Sequence, residues 1–301
     1  MPTVGGGLIC PAIAPGREST RVPLQIMYPV VLSFLVFGRQ VSVTCADESV
    51  HSLLSTGYGH MAIATKSDAD LYYTAGLRAA GHGFFIVHDG QRFEADGVSD
   101  FLFIFEKDLT IELQRQRSDL YFIHAAAVEW GGRVAMLVAP SGTGKSTTAY
   151  ALMHEGFHYL SGELALVDLQ TLMMQPCPHA LCLKSEPPAP YHLPAATLRT
   201  GATLHVPVAA LPAATCNRPV PLGAIFFLYR DKPGGTTLQR IDAGEAAMRL
   251  YANALNNLAH GGQGLDVAIR LTSRLPCFRL QLGELTQVGG LLRSALQEDS
   301  R

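Results

Sequence analysis

Residues 133–156 read RVAMLVAPSGTGKSTTAYALMHEG. Arg133 to Ala139 is an apolar run of strand length, and Lys145 to Glu155 has the composition of a helix that Gly156 closes. Between them lies Ala139-Pro140-Ser141-Gly142-Thr143-Gly144-Lys145-Ser146, a glycine-rich loop at Walker A spacing in strand-loop-helix context. Gly142 and Gly144 let backbone amides turn inward as a cradle for phosphate, and the helix N-terminus adds partial positive charge. In such a loop Lys145 bridges the β- and γ-phosphates of ATP and the Ser146 hydroxyl ligates Mg²⁺. Ser141, Thr143 and Thr147 complete the expected nucleotide-binding set. Ala139 stands where the commonest pattern has glycine, and a small residue fits there.

A phosphoryl-transfer site also needs a carboxylate near the metal, and two compete. The strand through Leu160 is expected to run parallel to 133–139, which brings Ser161-Gly162-Glu163 out at the carboxyl edge where α/β sheets bind ligands. Asp168 follows Leu164–Val167, a strand expected to turn back and carry it to the opposite edge. Glu163 is therefore the favoured metal ligand and base, with Asp168 the alternative acid. His124 precedes a strand pair, 125–129 and 133–139, joined by Trp130-Gly131-Gly132. On residue type alone it reads as a satisfied core histidine or as a catalytic one.

The wider chain sets the frame. Its 301 residues suggest two domains or one large α/β domain with an appendage, and with 48% hydrophobic and 16% charged residues it is globular. A net charge of −2 provides no global basic field for nucleic acid. The longest apolar run, Ile26–Phe37, is too short to span a membrane and reads as a strand. Six scattered cysteines read as free thiols, and with no secretory signal visible the expected location is the cytoplasm. Cys177-Pro178-His179 followed by Cys182 is half of a zinc pattern with no second pair, so no metal is expected there.

Residues 1–20 read as a flexible leader. Residues 21–120 read as a small α+β subdomain: strands 30–37 and 40–46 turning at Gly38-Arg39, and a helix capped by Asp47 and ending by Gly57 or Gly59. A hairpin over 84–95 turning at His88-Asp89-Gly90 follows, then a helix from Val98 to about Arg117 with Phe101, Leu102, Phe105, Leu109 and Leu113 at helical spacing. Residues 121–301 hold the loop, an irregular proline-rich excursion over 175–221, a strand 224–229, a helix 242–258, a strand 278–282 and a helix from Glu284. Lys184, Arg199 and Arg218 in the excursion are candidates for the wall of a peptide cleft.

The stretch 124–168, HAAAVEWGGRVAMLVAPSGTGKSTTAYALMHEGFHYLSGELALVD, resembles the catalytic core of the HPr serine kinase/phosphorylase family. The shared pattern is a histidine, a phosphate loop beginning fifteen residues later, and a G-x-x-L segment leading to paired acids. Gly162 and Glu163 stand at that pair, so one carboxylate is missing. The resemblance implies an α/β fold with a P-loop kinase core of the HPr kinase/PEP carboxykinase-like type. It assigns catalytic roles to Glu163, His124 and Lys145, implies ATP and Mg²⁺ as cofactors, and implies a homo-oligomer. It also implies transfer of the γ-phosphate to a serine hydroxyl of a peptide or small protein, since the first 120 residues are similar to the small domain of homologues that modify ribosomal precursor peptides, lasso precursors among them. Two other functions stay open: a P-loop kinase of a small metabolite, and a nucleotide-binding regulator weakened by Gly162.

Overall fold

A computed structural model of the protein describes residues 28–64, 68–79, 82–201, 203–230, 234–260 and 264–298; the leader expected over 1–20 lies outside them. The fold is mixed α/β with three sheets. The first sheet comprises β1 (Val30–Val36), β2 (Arg39–Cys45), β3 (Leu71–Leu77), β4 (Phe84–His88) and β5 (Gln91–Ala95) in sequential order, with α1 (Glu48–Tyr58) and α2 (Val98–Gln116) against it. The first turn falls at Phe37-Gly38 rather than Gly38-Arg39. Both residues take positive φ (51° and 74°), and Val36 pairs directly with Arg39 as a two-residue mirror-image turn requires. Asp89 and Gly90 (φ 46° and 73°) make the same turn between β4 and β5, which leaves His88 inside the strand. Asp47 caps α1 by accepting the Val50 N–H at 3.0 Å. On α2, Phe101, Phe105, Leu109 and Leu113 recur every fourth residue and are all buried.

The second sheet starts with β6 (Leu120–Trp130) and β7 (Arg133–Val138), antiparallel, followed by α3 (Lys145–His154). Next come β8 (His158–Ser161), β9 (Leu164–Asp168) and β10 (Met173–Gln175). The expectation for this region needs two corrections. First, β6 lies between β7 and β8, so the segment leading to Glu163 is not the immediate neighbour of β7. Second, β9 does not turn back: β8 and β9 both run antiparallel to β6, one continuing the line of the other, from Glu129↔His158 to Leu120↔Asp168.

The excursion is mostly without regular structure, as expected, but it is organised around three short strands. It forms a small sheet of β11 (Leu181–Leu183), β12 (Leu198–Arg199) and β13 (Leu204–Val206), ordered β11-β13-β12. Leu181, Leu183, Tyr191 and Val206 pack in one buried cluster with α3. The chain ends with β14 (Val220–Tyr229), β15 (Thr237–Arg240), α4 (Ala243–Tyr251), α5 (Gly264–Thr272), β16 (Cys277–Gln281) and α6 (Val288–Glu298). The helix expected over 242–258 stops at Tyr251, and α5 and β15 were not foreseen.

β14 runs parallel to β7 and to β16, and β15 closes that edge antiparallel. On the other side β10 pairs with both β9 and β14, so β9-β6-β7-β14-β10 forms a closed circuit. One face of these strands packs Ala126, Val128, Ala135 and Leu137 against α3 and α6. The other packs Ile123, Ala125, Met136 and Val138 with Leu250 of α4 and Leu271 of α5. Phe122, Leu164 and Leu166 join the core of the first sheet with Phe101 and Phe105 of α2, so the two sheets share buried apolar surface. No described helix is long and apolar enough to cross a membrane. Cys45, Cys177, Cys182, Cys216 and Cys277 are free thiols.

Candidate functional site

β7 hands the chain to the loop at Ala139, and the loop enters α3 through Gly144. Gly142 and Gly144 take φ of +87° and +116°, values an L side chain rarely adopts, and open space lies where a Cβ at Gly142 would project. The loop thus turns on two positive-φ glycines and ends at the N-terminus of α3. Lys145 is only 5% exposed. Its Nζ donates to the carbonyls of Ala139 at 2.7 Å and Pro140 at 3.3 Å. Burial pushes its ammonium down to about 8, partly opposed by the Glu163 charge and reinforced by Lys184. Ser146 and Thr147 follow on the first turn of α3, half-buried.

The register of β6 sets how far each of the two acids lies from this loop. Ala125 pairs with Val138, the last residue of β7, and its N–H donates to the Glu163 carbonyl at 3.2 Å. Glu163 therefore stands at the level where the loop begins. Asp168 pairs with Leu120, five residues and about 16 Å further along the strand. Its carboxylate is spent on the adjacent turn, accepting from the N–H groups of Gln170 (3.0 Å) and Thr171 (2.7 Å) and from the Thr171 hydroxyl (2.8 Å). The Thr171 amide leads the interactions that hold its carboxyl below the usual range. Asp168 is a turn residue, remote from the loop.

His124 is half-buried next to this junction. Burial chiefly, then the Lys145 charge, lowers its proton affinity, while Glu163 works the other way. Its own N–H donates to the Asn253 carbonyl at 2.8 Å. That bond reveals what fills the space left where the loop peels away from β6: residues 253–256 come in beside it. Leu255 N–H donates to the Phe122 carbonyl at 2.8 Å. The buried Asn256 side chain accepts from Phe122 N–H at 3.0 Å and donates to the Leu120 carbonyl at 2.8 Å. Asn253 and Asn256 went unrecognised in the sequence, which placed both inside a helix; no local pattern marks a contact more than 120 residues away.

Gly162 occupies the position of the missing acid. A Cβ there would come within 3.0 Å of both Leu181 Cδ1 and Tyr159 Oη, and Tyr159 is fixed by donating to the His179 carbonyl at 3.0 Å. The backbone at this point is closed over by its neighbours.

Glu163 and His124 also form one end of a cleft of about 430 Å³, walled by Phe103, Lys107 and Ile111 of α2, Phe37, Leu255 and His179. The excursion contributes only Cys177 and His179 to it. None of the three basic residues of the excursion, Lys184, Arg199 and Arg218, lines this cleft. Arg199 pairs with Glu186, Arg218 borders a separate depression with Glu129 and His158, and Lys184 donates from Nζ to Ser141 Oγ at 2.8 Å on the glycine-rich loop. Cys182 Sγ lies 3.3 Å from His205 Nδ1, and His179 Nε2 lies 3.9 Å from Glu106 Oε1. Among the described residues no group of three or more such side chains is arranged to hold a metal ion.

No family model and no curated protein matches the chain. Among solved structures it is similar to the HPr(Ser) kinase/phosphatase from Coxiella burnetii, with 10% identity and a TM-score of 0.30, over 60% of this chain and 95% of that one.

Proposed function

We propose that the protein is an ATP-dependent phosphotransferase in which residues 139–147 bind Mg-ATP and Glu163 accepts the proton of an acceptor hydroxyl held in the α2 cleft. The observation that carries this reading is the β6 register, which sets Glu163 and His124 between the glycine-rich loop on one side and the cleft on the other. Hydroxyl and carboxylate oxygens, here Ser146 and Glu163, are the donors that Mg²⁺ takes. The metal, when bound, neutralises charge developing on the phosphates. Lys145 supplies fixed positive charge from inside the loop, and the amides of 142–146 supply directed donors. His124, with its proton affinity lowered, is disposed to present a neutral ring beside Glu163.

For the acceptor we favour a serine of a peptide or small protein, a ribosomal precursor peptide of the lasso kind included, acting in the cytoplasm and in a homo-oligomer. The support is the apolar wall of the cleft, where Phe103 and Ile111 are exposed and available to a flanking side chain. A second reading, a kinase of a small metabolite, is favoured by the cleft volume, which suits a compact ligand. The test is transfer of label from γ-labelled ATP to candidate peptides and to small hydroxyl compounds, with Lys145→Ala as control. Label on a peptide serine supports the first acceptor and label on a metabolite the second. Tight nucleotide binding with no transfer to any acceptor would leave a nucleotide-binding regulator.

A further inference from the structure

We propose that Lys184 is a second phosphate-binding cation of the loop, placed to read the terminal phosphate of a bound nucleoside triphosphate and so to favour triphosphate over diphosphate. The inference rests on the reading of 139–147 as a phosphate loop. Lys184 is the first residue after β11, and that strand is a firm base. Leu181 and Leu183 are buried against the α3 cluster, and the strand is held in register with Leu204–Val206. The side chain reaches the loop from this separate element and donates to Ser141 Oγ at 2.8 Å.

Ser141 precedes the first cradle glycine, Gly142, above which the space is open. The two lysines therefore hold different places on one loop. Lys145 is buried and bonded to the carbonyls of Ala139 and Pro140 behind the cradle, whereas Lys184 is exposed at its lip on a neutral hydroxyl. Among the described residues Lys184 makes no ion pair with a carboxylate, and its hydrogen bond is to the Ser141 hydroxyl. A phosphate chain seated in the cradle would leave it at two ends, and the end beside Ser141 and Lys184 is assigned to the terminal phosphate, which a diphosphate lacks. The same field bears on the neighbouring groups, since Lys184 contributes, after burial, to the lowered proton affinity of Lys145 and His124.

The test is calorimetric titration of the full chain with Mg-ATP and Mg-ADP, using the parent, Lys184→Met, Lys184→Arg and Lys145→Met. Lys184→Met is expected to weaken ATP binding about tenfold or more and ADP binding by less than about threefold, the loss of one charge-assisted contact. Lys184→Arg is expected to recover most of the ATP affinity. Equal losses for the two nucleotides, or no loss for either, would overturn the assignment of Lys184 while leaving the phosphate loop standing. A parent chain that binds neither nucleotide would overturn the loop reading and Lys184 with it. Thermal unfolding of each variant shows whether a loss reflects folding, which an exposed side chain at this position is not expected to disturb.

Discussion

The Ala125 N–H donates to the Glu163 carbonyl at 3.2 Å while Ala125 itself pairs with Val138, and through this one residue the acid is tied to the strand that launches the glycine-rich loop. Glu163→Gln keeps size and hydrogen bonding but removes the charge. It should lower phosphoryl transfer by about 10² or more with nucleotide affinity within a few-fold. Asp168→Asn should leave transfer unchanged and cost about 1 kcal/mol of stability through its turn contacts, because its Oδ1 accepts from Gln170 and Thr171. Steady-state kinetics and denaturant unfolding of the two variants separate the roles; a kinetic defect confined to Asp168→Asn would assign the acid to the wrong end of β6.

Lys145 gives a pH signature. Burial takes its ammonium from the ordinary 10.5 down to about 8. Below about pH 8 the cost of burying the charge is fully present. Between about 8 and 10.5 the folded chain has given up a proton that the unfolded chain keeps, so this group's contribution to stability rises with pH across that window. Nucleotide binding needs the charged form, so above pH 8 it should take up a proton and weaken as pH rises. Calorimetry at pH 8.5 in buffers of different ionisation heat measures the uptake. Zero uptake in the parent would show that this lysine does not meet phosphate.

Asn256 carries a structural cost out of proportion to its size. Both ends of its buried side chain bond to β6, so Asn256→Ala strands the Phe122 N–H and the Leu120 carbonyl in the interior and should cost about 2 kcal/mol or more. Asn256→Asp should give no rescue at neutral pH, because it sets a buried carboxylate oxygen against the Leu120 carbonyl. A loss under about 0.5 kcal/mol in Asn256→Ala would mean that water reaches those groups.

Restoring the absent acid at Gly162 should fail. A side chain there meets Leu181 and the anchored Tyr159 at 3.0 Å, so Gly162→Asp should destabilise by about 1–3 kcal/mol and should not raise the transfer rate. Leu181→Ala removes a core side chain and is costly alone, so combined with Gly162→Asp it should cost less than the sum of the two single losses. A stable, faster Gly162→Asp would show that the segment can shift to accept a second carboxylate.

Features governed by neighbours in sequence were legible beforehand: the Asp47 cap, the Asp89-Gly90 turn, the fourfold spacing of α2, and the strand, glycine turn and helix around Lys145. Placement across long separations was not. Nothing near Asn253–Asn256 announces that these residues replace β7 beside β6. The β8–β9 line reads locally as two strands with a reversal because Gly162 interrupts its apolar pattern. The proline density of 175–221 suggests looseness, yet Leu181, Leu183 and Val206 are core residues, and prolines between such short strands merely set their ends. The geometry expected for Glu163 and Asp168 was mistaken: β9 continues the direction of β8 instead of reversing, and it is distance along β6 that separates the two acids.

The circuit closed by β10 also constrains how copies of the chain can meet. Strands bonded on both flanks have no main-chain donors or acceptors to lend, and the outer flank of β1 is already taken in part by Ile63, whose N–H donates to Ser33. Among the described residues β5 and β15 terminate the two larger sheets. Self-association that extends the larger sheets must therefore be sought at those margins or on the rest of the β1 flank, while β11 and β12 are the outer strands of the small sheet.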